Sequence, residues 1–382
     1  MDDIIYNRIF DSWSRGRNVL LYGPPGTGKT RIISQLFHKL QQPDDNPDAA
    51  TIGPDSTMAL PLTRPARKLP IPTPAKVVWT TFHQSYTYED FVIGLKPSTA
   101  ESSLSLEPWA GILLDAVIEL NDDNSKYKFV VLFIDEINRG NAARIFGEFM
   151  TFLDFDYRED GAFPIPIPLR QINYRDGESE EIHRPDGGIA RIKKGLKFPK
   201  DIYIVATMNS VDRAAVPIDS ALARRFDRLY LKPSEETLKY YWFTEFPLGN
   251  EDVDHYSAQE CAIAIFNYLN DAIAADLGSE FELGHGLFMS LQPSESGSDL
   301  SWKQLAELWD ETIFPQLEDR FAGRADVLCG LLKADNPPED GDYAWTVRED
   351  AAHMDGSGVL APVDVSSLDK DTIARSFRWL AR

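Results

Sequence analysis

Short apolar runs of buried-strand character recur along the chain at residues 18–22, 76–81, 129–135, 202–208 and 229–231, with patterns of helical period between them. Their alternation with helices predicts an α/β fold with a largely parallel sheet. Residues 30–37 put Ile32, Ile33, Leu36 and Phe37 on one helical face, the stripe a helix lays against such a sheet. After Pro233 the strand signals fade, and residues 235–243, 257–276 and 302–321 carry helical spacing. The predicted organisation is an α/β domain over 1–232, a helical domain over 233–335, and, over 336–382, an irregular linker rich in Asp, Pro and Gly that leads to a final helix at 367–380.

Two stretches interrupt the α/β pattern. Residues 42–75 are rich in Pro, Asp, Thr and Ala without sustained periodicity and read as a surface insertion. Residues 157–197 form a second insertion. Its pieces 165–172 and 188–193, around the turn-rich Asp176-Gly177-Glu178 and Asp186-Gly187-Gly188, predict a projecting β-hairpin.

The first strand runs into Gly23-Pro24-Pro25-Gly26-Thr27-Gly28-Lys29-Thr30, which fits the phosphate-cradling pattern G-x-x-x-x-G-K-[ST] at every constrained position. Such a loop works only between a strand and a helix, where backbone N–H groups and the helix N-terminus converge on phosphates. Both flanks are present. Lys29 would reach the β/γ-phosphates and the Thr30 hydroxyl would ligate Mg²⁺. A nucleoside triphosphate is therefore the first ligand to consider.

Bulk properties narrow the class. The 382 residues, 43% apolar and 11% aromatic, suffice for real cores. No unbroken apolar stretch approaches the ~18 residues of a membrane helix, and the Met1-Asp2-Asp3 start lacks a secretory pattern, so the expected compartment is the cytoplasm and no membrane partner is expected. Cys261 and Cys329 have no Cys or His at metal-ligand spacing and read as buried thiols. The formal net charge of −21 disfavours a broad DNA-binding surface, leaving only local basic runs at 64–68 and 191–194, which read first as solvated faces.

Chemistry concentrates at two strand ends. Asp135 and Glu136 close the apolar run 129–134, at the carboxyl end of a strand, where α/β sheets bind ligands. There Asp135 would hold Mg²⁺ and Glu136 would polarise the attacking water. Asn209 follows the run 202–208 and would orient that water if the two strands are neighbours. Arg224 and Arg225 end a short helix, from which a guanidinium could stabilise transition-state charge across a subunit boundary.

The order of these parts, followed by a helical domain, resembles the AAA+ NTPases, with Walker A at 23–30, Walker B at 132–136, sensor 1 at Asn209 and arginine fingers at Arg224 and Arg225. The segments 82–91 (Phe82 to Phe91), Asp135-Glu136-Ile137-Asn138-Arg139-Gly140-Asn141 and Thr207-Met208-Asn209-Ser210-Val211-Asp212-Arg213 are similar to signatures of the McrB branch, motor subunits of modification-dependent restriction systems. The resemblance covers roughly residues 15–330. It implies a ring, a hexamer, with nucleotide between subunits and Arg139, Arg224 or Arg225 acting on a neighbour's nucleotide. It also implies an McrC-type partner nuclease, a role in anti-phage defence, and DNA contact through partners.

The sequence departs from that branch in three places. The segment linked to GTP preference, Asn-Thr-Ala-Asp, reads Asn209-Ser210-Val211-Asp212 here, which leaves ATP or GTP open with Asp212 as a candidate nucleotide contact. With the P-loop starting at residue 23, no DNA-reading domain is expected ahead of the motor. The segment Leu283-Gly284-His285-Gly286-Leu287-Phe288 keeps the Gly-His of the lid motif without its Ser-Tyr pair, so His285 is either a second-domain sensor near the phosphates or a packed lid histidine. Two other readings stand beside the restriction motor: a MoxR-like or dynein-related remodelling ATPase acting on protein, and a nucleotide-gated scaffold with little turnover.

Overall fold

The computed structural model describes residues 2–41, 74–98, 105–172, 174, 179–211, 218–245, 257–291, 301–339, 342–352, 358–361 and 363–382. Nearly all of the 42–75 insertion and the basic run at 64–68 lie outside them. By compactness the chain divides into two units, residues 1–22 with 29–230, and residues 23–28 with 231–382.

In chain order the α/β unit contains α1 (Asp2–Ser14), β1 (Asn18–Gly23), α2 (Lys29–Gln41), β2 (Ala75–Thr81), α3 (Tyr88–Phe91), β3 (Ile93–Ser98), β4 (Ser105–Ala110), α4 (Ile112–Asn121), β5 (Phe129–Asp135), α5 (Ala142–Phe146), β6 (Ser179–His183), β7 (Ile189–Lys193), β8 (Ile202–Asn209), α6 (Ser220–Ala223) and β9 (Phe226–Tyr230). The five apolar runs form one sheet in the order β2-β5-β8-β1-β9. Its registered pairs, β2 with β5, β5 with β8 and β1 with β9, are all parallel. Val130, Val131, Leu132, Phe133 and Ile134 have no exposed surface, as expected for a strand covered on both faces by helices. The order puts the strand ending in Asn209 beside the strand ending in Asp135, with Ile134 paired to Ala206. It also places β8 between β5 and β1, so Asp135, Glu136 and Asn209 come together at the carboxyl ends of neighbouring strands.

The predicted hairpin in the second insertion forms with a different first arm. Ser179–His183 pairs antiparallel with Ile189–Lys193, whereas residues 165–172 contribute only an isolated bridge from Pro166 to Lys197. Pro164, Pro166 and Pro168 explain the difference: alternate residues face the same strand edge, so three prolines strip that edge of its donors. The basic run 191–194 lies on this hairpin with Ile192 buried, and Arg191 pairs across the ladder with Glu181 at 3.4 Å.

A second hairpin, β3 with β4, extends the first into a four-stranded sheet through a parallel contact of Trp109 with His183, whose rings stack at 4.8 Å. Charges anchor this sheet to the main fold. Arg184 meets Asp115 at 2.6 Å and Glu119 at 2.5 Å, and Lys76 on β2 meets the same two acids at 2.9 and 3.2 Å. Burial opposes the charge of Glu119, yet hydrogen bonds from Arg184 and Ser125 and the charge of Lys76 hold its carboxyl down at about 2.

The second unit contains α7 (Glu235–Glu245), α8 (Ala258–Asp276), α9 (His285–Phe288), α10 (Trp302–Leu308), α11 (Phe314–Arg320), α12 (Ala325–Leu331), the strand pair β10 (Val347–Ala352) and β11 (Gly358–Leu360), and α13 (Lys370–Leu380). Ser257 opens α8 with a capping box to Glu260, which satisfies N-terminal donors reciprocally. The expected helix at 302–321 is interrupted by a π-turn at Trp309–Ile313 just before Pro315, as a missing proline N–H demands. The expected final helix forms as α13, and described residues ahead of it pack into the helical unit. Trp345 is 1% exposed and packs against Trp309 at 4.8 Å and Phe377 at 5.5 Å, inside the helical unit's core. The Asp, Pro and Gly content of that stretch masked two aromatic anchors, Tyr343 and Trp345, which decide its packing.

Candidate active site

The phosphate-loop residues Gly23, Pro24, Pro25, Gly26, Thr27 and Gly28 adopt the shape their glycines permit. Gly28 has φ +82°, a left-handed conformation that side chains resist, and the Thr27 hydroxyl donates to the Pro24 carbonyl at 2.9 Å. The loop's outer side meets the segment before α9. The Gly286 N–H donates to the Gly26 carbonyl at 2.8 Å, and a Cβ on Gly284 would lie 2.2 Å from the Gly26 carbonyl carbon. His285, buried in the same segment, accepts the Ser234 N–H at Nδ1 (3.2 Å). That nitrogen is committed to the backbone and so unable to face a phosphate.

Lys29 and Thr30 open α2. Lys29 is 5% exposed, and burial brings its ammonium down to about 8 even though the charges of Glu136 and Asp135 favour protonation. The Thr30 hydroxyl lies 3.2 Å from one Asp135 carboxylate oxygen and 3.4 Å from the other. A hydroxyl and a carboxylate side by side are hard oxygen donors, the set that suits Mg²⁺, which keeps several waters and takes its remaining ligands from substrate phosphates. Thr30 and Asp135 would hold the ion, which would supply charge neutralisation to a transferring phosphoryl group.

The acids are oriented by the neighbouring strand. Thr207, 1% exposed on β8, donates its hydroxyl to Asp135 and accepts the Glu136 N–H at 3.0 Å. Asn209 Nδ2 donates to Glu136 Oε1, and Asn138 Nδ2 donates to the Asn209 carbonyl at 3.0 Å. Glu136 itself has φ +54°, an uncommon conformation for a side chain with a Cβ. It ends the strand abruptly and turns the chain into the 3₁₀ turn of Ile137–Arg139. Arg139 lies 3.5 Å from the Oε2 of its own Glu136. Below the acids, the Phe82 N–H donates to the Asp135 carbonyl at 3.0 Å, and the Phe82 ring packs with Tyr86, Phe91 and Phe146. The segment 82–91 thus supports the backbone of the acids from beneath.

These contacts place Lys29, Thr30, Asp135, Glu136, Asn209 and Arg139 in one cluster of the α/β unit. Arg224 and Arg225 lie beyond it, directly after α6. Arg224 is exposed, whereas Arg225 is held within its own chain by Asp154 at 2.9 Å and by the Ala221 carbonyl at 2.7 Å. Asp212 lies outside the described residues. Sequence reasoning missed Thr207 and Asn138 as organisers of the site. A polar residue interrupting an apolar strand next to Asn209 was the available signal for the first.

Comparison with known proteins finds matches over both parts of the chain. Residues 63–226 match the AAA domain of the dynein-related subfamily, and residues 262–328 match the alpha-helical lid domain of McrB. These are matches to a P-loop NTPase domain of the AAA type and to a lid of the McrB type. The chain is 27% identical over 309 residues to the Type IV methyl-directed restriction enzyme EcoKMcrB subunit of Escherichia coli (strain K12), a match covering 80% of this chain and 54% of that protein. It is also 27% identical over 240 residues to the Type II restriction enzyme BsuMI component YdiS of Bacillus subtilis (strain 168), covering 56% of this chain and 57% of the relative. The chain therefore spans little more than half the length of these curated relatives.

The bridging role of Thr207 is testable. Thr207→Val is expected to lower hydrolysis about 10- to 100-fold, the usual cost of losing an outer-shell partner of a metal ligand, and to shift half-maximal Mg²⁺ upward. Thr207→Ser should restore both. A Mg²⁺ titration of turnover that is identical in the valine variant would remove Thr207 from this role.

Proposed function

We propose that this chain is the NTP-hydrolysing motor subunit of a multi-component restriction complex. The observation that carries the reading is the pairing of Glu136 with Asn209 beside the Lys29, Thr30 and Asp135 cluster, in a chain whose helical unit matches the McrB lid. A carboxylate hydrogen-bonded to a neutral amide at a strand end can accept a proton from water while the amide fixes that water's position. Asp135 and Thr30 serve Mg²⁺, Lys29 serves the phosphates, and the P-loop cradles ATP or GTP.

In this reading the subunits form a ring, a hexamer, with nucleotide between neighbours, and an arginine at the end of α6 acts in trans. The motor drives an effector of the McrC nuclease type in the cytoplasm, as an antiviral defence, with DNA contacted through partners. The net charge of −21 supports delegated recognition. Among the described residues no helix is long and apolar enough to cross a membrane. A second reading is favoured by the match to the dynein-related AAA subfamily: the same motor remodelling a protein target.

The deciding measurement compares ATP and GTP hydrolysis by the chain alone and with a co-encoded nuclease subunit. The restriction reading expects turnover to rise at least severalfold with the partner, and nuclease activity to require hydrolysable nucleotide. Stimulation by a non-nuclease protein target, with none from the nuclease, would transfer the chain to the remodelling class.

A further inference from the structure

Arg224 and Arg225 are adjacent yet treated oppositely by the fold. Arg225 has an 11% exposed side chain whose Nε donates to Asp154 Oδ2 at 2.9 Å and whose Nη1 donates to the Ala221 carbonyl at 2.7 Å. The Arg224 side chain is exposed, and only its backbone is gripped: its carbonyl accepts from Arg17 Nη2 at 2.7 Å. Arg17 is in turn tied to Asp227 at 3.2 Å, which Arg15 meets at 2.8 Å. The end of α6 is thus clamped on both sides of Arg224 while that guanidinium is left outward.

Asp154 is itself an unusually well-fixed anchor. It follows the 3₁₀ segment Gly147–Leu153, and the two residues before it are held by their carbonyls. Asn18, fully buried at the start of β1, donates Nδ2 to the Leu153 carbonyl at 3.1 Å and accepts the Ile204 N–H at 3.0 Å. Arg158, also fully buried, donates Nε to the Phe152 carbonyl and reaches the Ile202 carbonyl of β8. Phe152, Leu153 and Asp154 are therefore referenced to β1 and β8, the strands that carry the P-loop and Asn209. A misplacement of about 1 Å in a catalytic contact costs on the order of a hundredfold in rate, so an arginine that must meet a phosphate benefits from such a platform.

We propose that Asp154 is a positioning residue which, through Arg225, sets the end of α6 so that Arg224 is the guanidinium presented to a neighbouring subunit's nucleotide. This rests on the reading that these arginines act in trans. It divides their labour: Arg224 contacts the phosphate, Arg225 transmits position, and Asp154 supplies the reference to the sheet.

The test uses two full-length chains, each inactive alone. One is a site donor carrying Arg224→Ala and Arg225→Ala. The other is a finger donor carrying Lys29→Met. Their mixture, checked for mixed assemblies, should recover turnover. Adding Asp154→Asn to the finger donor is expected to lower the recovered rate about ten- to a hundredfold, whereas adding it to the site donor should leave the rate unchanged. Arg225→Gln in the finger donor, with Asp154 intact, should reproduce the loss and decides the matter if the Asp154→Asn chain does not fold. In the finger donor, Arg225→Lys should retain more activity than Arg224→Lys. No recovery by the unmodified pair overturns the trans reading and the proposal with it. Recovery that survives both Asp154→Asn and Arg225→Gln, or that falls equally with Asp154→Asn in either chain, overturns the positioning role alone.

Discussion

Glu136→Gln is expected to lower kcat about 10²- to 10⁴-fold, the range lost with a positioned general base, while nucleotide binding stays within a few-fold of wild type. The substitution is nearly isosteric, and a glutamine carbonyl can still accept the Asn209 amide that now meets Glu136 Oε1. The backbone turn at Glu136, with its N–H on Thr207, is untouched. What disappears is the ability to take a proton from water. Single-turnover hydrolysis and equilibrium binding of the same nucleotide, measured on one preparation, separate the two effects. Unchanged turnover would return the chain to the class of nucleotide-gated scaffolds, and loss of binding would assign Glu136 to the nucleotide rather than to water.

Lys29→Met should weaken triphosphate binding about 10- to 10⁴-fold, corresponding to one or two charge-assisted hydrogen bonds at roughly 1.5–3 kcal/mol each. Methionine keeps the apolar stem, so packing at the start of α2 is preserved. The nucleotide-free fold should melt no earlier than wild type. Burial already brings Lys29 down from 10.5 to about 8, meaning that the folded chain disfavours its charge relative to the unfolded chain.

The same shift predicts a pH dependence with a definite sign. A bound triphosphate favours the ammonium and raises its pKa, so binding takes up a proton once the free protein has begun to lose it. Affinity should therefore be greatest below about pH 8 and fall as the pH rises above that value, with a limiting slope of about one decade per pH unit. In Lys29→Met this alkaline limb should vanish. Isothermal titration from pH 7 to 10 in both proteins checks it, and a flat wild-type profile would mean that Lys29 does not titrate against the ligand.

Much of this architecture was legible in the amino-acid order because its signals are local. Five apolar runs announced five strands. The loop at Gly23 announced its own strand and helix, and Asp135-Glu136 at the end of an unbroken apolar run announced acids at a strand terminus. Two segments were harder to read, each for its own reason. Residues 165–172 looked strand-like by apolar content, but three alternating prolines removed the donors on one edge. Residues 336–362 read as an irregular linker by composition, while Trp345 packs against Phe377 of the final helix in a core that composition does not reveal.

Taken alone, the sequence determined that the chain carries a phosphate loop between a strand and a helix, a pair of acids ending a buried strand and a helical second unit, because each is written within a few consecutive residues. Only the tertiary structure decided which side chains meet within the α/β unit. Thr207 reaches Asp135 across 72 positions and Arg225 reaches Asp154 across 71, distances at which hydrophobic periodicity carries no information. The first of these contacts follows from the sheet order β2-β5-β8-β1-β9, which sets β8 against β5. That order, rather than any motif, gave Thr207 its place beneath both acids, and contacts on its far side turned one arginine of an identical pair inward and the other out.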